Sequence, residues 1–226
     1  MTMRFPRVHS MEELEALIRE VGFLPFFKNS IPGYSVEECT PRELWFVPDA
    51  DGPWEWKGPI ARKAECAYGK FFQGKAGFIS LEHFSAFLNY RRDGYDFDAR
   101  WDDGLAPMKD KQIMDVFLEY SSMMTHELKA KCNYGKQGQK GFETVITRLQ
   151  MQTYLVVQNF EYRTDKTGKP YGWGIARYAM PEVQFGTEMI ENAYREEPKD
   201  AAKRIADYLE TLLPDASMTQ IEKLIG

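Results

Sequence analysis

Residues 141–178 read GFETVITRLQMQTYLVVQNFEYRTDKTGKPYGWGIARY, and this stretch decides the fold class. Phe142, Val145, Ile146 and Leu149 recur at i, i+3, i+4 and i+7, the apolar stripe of a helix with one buried face. The run TYLVVQNFEY follows at once, and YGWGIARYA comes after the turn TDKTGKP. Both are rich in β-branched and aromatic residues, as strands are. Upstream, Ile113, Val116, Phe117 and Tyr120 repeat the helical spacing. Thr125 is placed to cap a short helix carrying Leu128 and Cys132, and NYGKQGQKG reads as a turn. Helix, short helix, turn, helix and hairpin over residues 107–180 is the layout of a winged helix-turn-helix. Three short helices bury their stripes against one another. A two-stranded ribbon, marginal by itself, covers the exposed side.

Outward from this unit the pattern stays mixed. Ser10 and Glu13 form an S-x-x-E capping box before Leu14, Leu17, Ile18 and Val21, and Gly22 ends that helix. Residues 23–58 are rich in Pro, Gly and aromatics and read as irregular chain, with a short strand near Leu44–Val47. Residues 60–92 predict helix, hairpin and helix: Cys66–Phe72 and Phe78–Ser80 flank the turn at 73–77, and Ser80 precedes the stripe Phe84, Phe87 and Leu88. The run RRDGYDFDARWDDGLAP at 91–107 reads as a long loop and a domain boundary. Beyond Pro181 one helix is expected over 182–195 and another from Lys199 to Leu213. A second capping box, Ser217 and Gln220, precedes a last short helix. The expected class is α+β, mainly helical, with winged helix-turn-helix units and short β-hairpins. Its parts are an N-terminal helix and hairpin domain at 1–106, itself compatible with a winged-helix form, the winged helix at 107–180, and C-terminal helices at 181–226. Those last helices would pack on the core or form a homodimer contact.

Composition narrows the function. Of 226 residues, 43% are hydrophobic and 28% charged, which excludes a mainly disordered or collagenous chain. No apolar run reaches the roughly 18–20 residues that span a bilayer, and the N-terminus lacks the apolar core of a signal peptide, so a cytoplasmic protein off the membrane is expected. Cys39, Cys66 and Cys132 are isolated, as are His9, His83 and His126. None has metal-ligand spacing, so buried thiols and neither metal nor cofactor are expected. With a net charge of −5, any nucleic-acid contact needs a local basic patch.

Two segments supply such patches. Residues 128–148 carry Lys129, Lys131, Lys136, Lys140 and Arg148 against Glu143 alone. Residues 163–177 carry Arg163, Lys166, Lys169 and Arg177 against Asp165. They predict a phosphate-contacting surface, the alternative being a solvated face of Lys-rich turns. In a winged helix the third helix enters the major groove and the wing touches backbone or minor groove. Within the wing, Tyr171, Trp173 and Ile175 alternate with glycines. Trp173 could stack on a base or belong to the core. Gln150-Met151-Gln152 ends the third helix. Two amides on one side of an extended segment could orient a water molecule. Two polar residues ending a helix is the plainer reading.

The segments PWEWKGPIARK, AYGKFFQGKAGFIS, NYRRDGYDF and the stretch quoted first lie within residues 53–180. Together they resemble the winged-helix DNA glycosylases of the AlkZ/YcaQ group, and most closely the shorter AlkZ-related proteins. The resemblance implies stacked winged helices, duplex DNA as partner and alkylated bases as substrate. It also implies that a Gln-apolar-Gln motif at a helix end holds the attacking water. Gln150 and Gln152 match that motif in type and local setting, and would be the catalytic pair. This chain is shorter, with room for about two winged helices, and its motif lies late rather than near the start. The implied chemistry is coherent. An N-alkylated purine is cationic and leaves readily, so a weakly polarising amide suffices once the base is accessible. A non-catalytic winged-helix regulator and a protein-interaction scaffold are the alternatives.

Overall fold

The computed structural model describes residues 5–45, 51–168 and 170–226. The first part of the chain runs α1 (Met11–Val21), β1 (Phe23–Pro25), α2 (Val36–Cys39), α3 (Pro53–Arg62), β2 (Cys66–Phe72), β3 (Lys75–Ser80) and α4 (Leu81–Arg92). After α5 (Phe97–Asp102) come α6 (Met108–Glu119), β4 (Ser122–Met124), α7 (Thr125–Lys131), α8 (Phe142–Met151), β5 (Val156–Thr164) and β6 (Pro170–Ala179). The last elements are α9 (Pro181–Phe185), α10 (Thr187–Ala193), α11 (Pro198–Leu212) and α12 (Met218–Ile225). The fold is α+β and mainly helical, with two antiparallel three-stranded sheets ordered β1-β3-β2 and β4-β6-β5.

One supersecondary unit occurs twice. From α1 to β3 and again from α6 to β6 the order is helix, strand, helix, helix, strand, strand. In each sheet the second hairpin strand sits between the short strand and the first hairpin strand. Local signals drive both copies. Leu14, Leu17, Ile18 and Val21 are buried on α1, and Phe142, Val145, Ile146 and Leu149 on α8. Ser10 Oγ accepts from the Glu13 amide, and Ser217 and Gln220 close a reciprocal capping box on α12. In β3, Gly77 is needed for space: a Cβ there would lie 2.3 Å from the Phe72 ring and 2.8 Å from the Leu24 carbonyl.

Several sequence expectations are corrected in detail. The irregular stretch 23–58 contains β1, α2 and the start of α3. Leu44 closes a 3-10 turn with Arg42 rather than opening a strand, and Phe46 and Val47 lie outside the described residues. The loop 91–107 holds α5, capped by Asp96. Thr125 is the first residue of α7 rather than its cap. The Glu127 carboxylate accepts from the Met124 amide, and the Thr125 hydroxyl donates to the Ala176 carbonyl. The helix expected over 182–195 is broken into α9 and α10 at Gly186, whose φ of +92° belongs to glycine.

The two units interlock reciprocally. The third helix of the first, α3, packs on β5 of the second, and the third helix of the second, α8, packs on β2 of the first. Where β2 meets β5, Tyr68 and Phe160 lie edge to face at 5.8 Å. The Arg62 guanidinium at the end of α3 donates to Asn159 Oδ1 on β5 at 3.2 Å, and the Lys70 amide on β2 donates to Gln150 Oε1 near the end of α8 at 3.1 Å. The last turn of α4 ties the C-terminal helices to this pair. Asn89 donates to the Glu196 carbonyl, and Arg91 donates to the carbonyls of Met151 and Ile225. Arg92, 1% exposed, meets Glu182 at 2.6 Å, Tyr194 at 2.8 Å and the Thr153 carbonyl at 2.9 Å.

Candidate nucleic-acid interface

Helix α8 buries one side and keeps another open. Outward lie Glu143 and Thr144, with Thr147, Arg148 and Met151 half-buried beside them. These residues, with Arg91 and Gln152, line an open groove of about 610 Å³. Cations rim it from three elements. Lys70 on β2 donates to Thr147 Oγ1 at 3.1 Å. Arg91 comes from α4. Arg148 from α8 is held bidentate by Asp110, with Nε 2.8 Å from Oδ2. Glu143 is the anion on this face, answered by Lys129 at 3.0 Å and Lys70 at 3.9 Å. Threonine hydroxyls, a glutamine amide and guanidinium groups around an apolar Met151 can hydrogen-bond both phosphate oxygens and base edges.

The two glutamines of the Gln-apolar-Gln motif do not face one side. The helix runs through Met151, and Gln152 is its C-cap. Gln150 is 1% exposed. Its Oε1 accepts from the Lys70 amide, and its Nε2 donates to the Ile146 carbonyl at 3.0 Å. It is a bonded core amide at the joint between the two units. Gln152 instead lines the groove. The residue after it, Thr153, is fully buried with φ +60°, a left-handed conformation that a β-branched residue adopts only under constraint. Arg92 supplies that constraint by donating to the Thr153 carbonyl. The left-handed residue turns the chain out of α8 toward β5, and the Thr153 amide donates to the Gln150 carbonyl at 2.9 Å.

The other sequence-derived residues divide by their partners. Lys129 is engaged with Glu143 and lies over the Phe142 ring. Lys131 donates to the Tyr120 hydroxyl at 2.9 Å. Lys140 donates to the carbonyls of Gly135 and Lys136, which folds the turn before α8 on itself. Lys136 is exposed on that turn. On the hairpin, Arg163 is exposed and borders a cleft of about 350 Å³ with His126 and Glu161, and Arg177 pairs with Glu161 at 2.5 Å. Lys166 is exposed in the hairpin turn, and Lys169 lies outside the described residues. Trp173 is 68% exposed, edge-on to Trp54 at 5.6 Å, so it is a surface aromatic rather than a core one.

Residues that sequence reasoning did not single out complete the site. Lys70, Arg91 and Asp110 meet α8 only through the tertiary fold. The pair Arg91-Arg92 at the end of α4 was the visible signal, two cations closing a helix. Lys57 on α3 is the other surprise. It is 3% exposed, with its ammonium 3.8 Å from the centre of the Trp54 ring and 4.5 Å from that of Phe160. It also donates to the Trp54 carbonyl, and burial pulls its pKa down to about 8. Cys39, Cys66 and Cys132 are buried free thiols. Among the described residues no helix is long and apolar enough to cross a membrane, and no group of His, Cys, Asp or Glu is gathered as a metal site.

A duplicated helix-and-hairpin unit, with one cation-rimmed helix face left open, is the class of protein that this fold and groove define. The chain belongs to the AlkZ-related family, whose model matches residues 8–226. That membership relates it to AlkZ-like DNA-repair proteins. No curated protein and no solved structure matches it.

Proposed function

We propose that residues 11–80 and 108–179 are two winged helices, and that the protein binds duplex DNA through the open face of α8. The observation that carries this reading is the groove itself. A third helix presents Thr144, Thr147 and Met151 between Lys70, Arg91 and Arg148, contributed by three elements. In this arrangement the arginines and lysine meet phosphates, and the threonines and Gln152 reach base edges. The β5–β6 hairpin is the wing, with Arg163 and Lys166 on the backbone and Trp173 available to stack.

Excision of an alkylated base is the activity that family membership suggests for this groove. Of the motif pair, Gln152 borders it, and Gln150 already has a partner at each end of its amide. The bonded Gln150 favours a second reading, a DNA-binding protein without excision. Two measurements separate the readings. Fluorescence anisotropy of a labelled duplex across a salt series should give a log–log slope of roughly −0.9 per phosphate contact. Affinity indifferent to salt would overturn DNA binding. Incubation with alkylated duplex, scored for released base and abasic sites, decides catalysis. Release that Gln152→Ala abolishes, with binding intact, assigns Gln152 to the water. The absence of any release supports the binding reading.

A further inference from the structure

A second cleft, with three lysines among its lining residues, borders the same β2–β3 turn that touches the α8 groove. It encloses about 310 Å³, and Lys28, Lys75 and Lys223 converge on it from the loop after β1, from β3 and from α12. No carboxylate is among its lining residues, on a chain whose net charge is −5. Asn29, Ser30 and Gln73 add neutral hydrogen-bonding groups. The lysines are weakly committed. Lys28 stands 3.7 Å from Glu37 with most of its side chain in solvent, and Lys75 reaches the Lys28 carbonyl at a long 3.4 Å. Three exposed ammonium groups around one cleft, with so little internal compensation, leave it positive charge to offer an anion.

The link to α8 is the turn. Gln73 lines the lysine cleft. A Cβ on the next residue, Gly74, would touch Thr147 Cγ2 at 3.3 Å and Met151 Sδ at 3.8 Å, two residues of the α8 groove. We infer that the Lys28–Lys75–Lys223 cleft is a phosphate-binding subsite that takes the backbone of the same DNA strand as it leaves the α8 groove across this turn. The inference rests on the DNA-binding reading of α8 and adds a contact surface from the first unit and the C-terminal helix. Lysine is suited to that role, because a phosphate track requires point charge without base selection.

The test uses the full-length chain, an unmodified labelled duplex and a salt series. The triple variant Lys28→Gln, Lys75→Gln and Lys223→Gln should lower the salt slope by roughly 0.9 for each lysine that meets a phosphate, uniformly across sequences. A control carrying Lys199→Gln, Lys203→Gln and Arg195→Gln removes the same charge outside both clefts. A slope unchanged in the triple variant, or lowered no more than in the control, overturns the subsite. If Lys70→Gln with Arg91→Gln still lowers the slope in that case, the α8 reading survives without it. Wild-type protein that shows no salt-dependent binding overturns both.

Discussion

Changing Gln150 to Ala separates a structural amide from a water-holding one. The side chain closes the joint between α8 and β2, so its loss leaves the Lys70 N–H without an acceptor. An orphaned donor of this kind costs ~1–3 kcal/mol, and the space vacated by the amide adds a cavity term, for a total of roughly 2–4 kcal/mol. Domains of this kind are stable by only about 5–15 kcal/mol, so the change is large. Gln152→Ala, at a half-buried cap in the groove, should stay within about 0.5 kcal/mol. Urea unfolding followed by the fluorescence of the five tryptophans reports both as shifts of the midpoint at constant slope. Gln150→Glu sharpens the comparison. It keeps an acceptor for Lys70 but sets a buried carboxylate against the Ile146 carbonyl, so it should destabilise at neutral pH as well. A Gln150→Ala variant that unfolds at the wild-type midpoint yet loses base excision would refute the structural assignment and restore Gln150 to the chemistry.

Lys57 should make stability depend on alkaline pH. Its folded pKa of about 8 lies below the usual 10.5, so the unfolded chain binds more protons between those values and stability rises across that window. Below pH 8 the full penalty of ~3 kcal/mol remains, and Lys57→Met should recover part of it and flatten the alkaline rise; an unchanged pH profile in the variant contradicts this. The Arg148–Asp110 pair should be asymmetric, because Asp110 is 1% exposed and Arg148 is not. Arg148→Ala strands a buried carboxylate and should cost ~3–5 kcal/mol in a urea melt, more than Asp110→Ala, after which Arg148 can rehydrate; equal costs would contradict the argument. Burial pushes the Cys39 thiol up to about 11 and Cys66 to about 12, so iodoacetamide at pH 8 should label them slowly in the native protein and readily in urea, with fast native labelling as the contrary result.

The apolar stripes were legible because a helix advertises its buried face within one or two turns. Leu149 and Ile146 needed no distant partner to be read. Pairings between distant residues were not legible. Gln150 and Gln152 look equivalent in a local window, and a strand 80 residues earlier takes one of them into the core. Arg148 counted as a free cation within 128–148, while its counter-ion Asp110 lies 38 residues upstream. Strand β1 is three residues long and contains Pro25, so only its pairing with β3 identifies it. Pro59 inside α3 hid that helix's true start, since proline lacks the N–H that an unbroken ladder uses. The sequence allowed a second unit within 1–106 but did not show its shared strand order, for a related reason. Topology and strand order are shared, but the connections between second and third helices differ in length and composition.

The interlock of the two units explains why the candidate site is composite. Each third helix spends one side on the other unit's first hairpin strand. On α3 this contact, with the core beneath, leaves only Glu55, Pro59 and Arg62 as the outward row among its residues, and Arg62 is already bound to Asn159. On α8 a wider face survives, and the strand that α8 packs on delivers Lys70 and the 73–75 turn to its edge. The cations beside Thr144 and Thr147 therefore come from the first unit and from α4 as much as from α8. Without the first unit and α4, the α8 face would lose Lys70 and Arg91. The net acidity of the chain does not prevent cations from meeting here, because the fold brings Lys70, Arg91 and Arg148 to this groove from three separate elements.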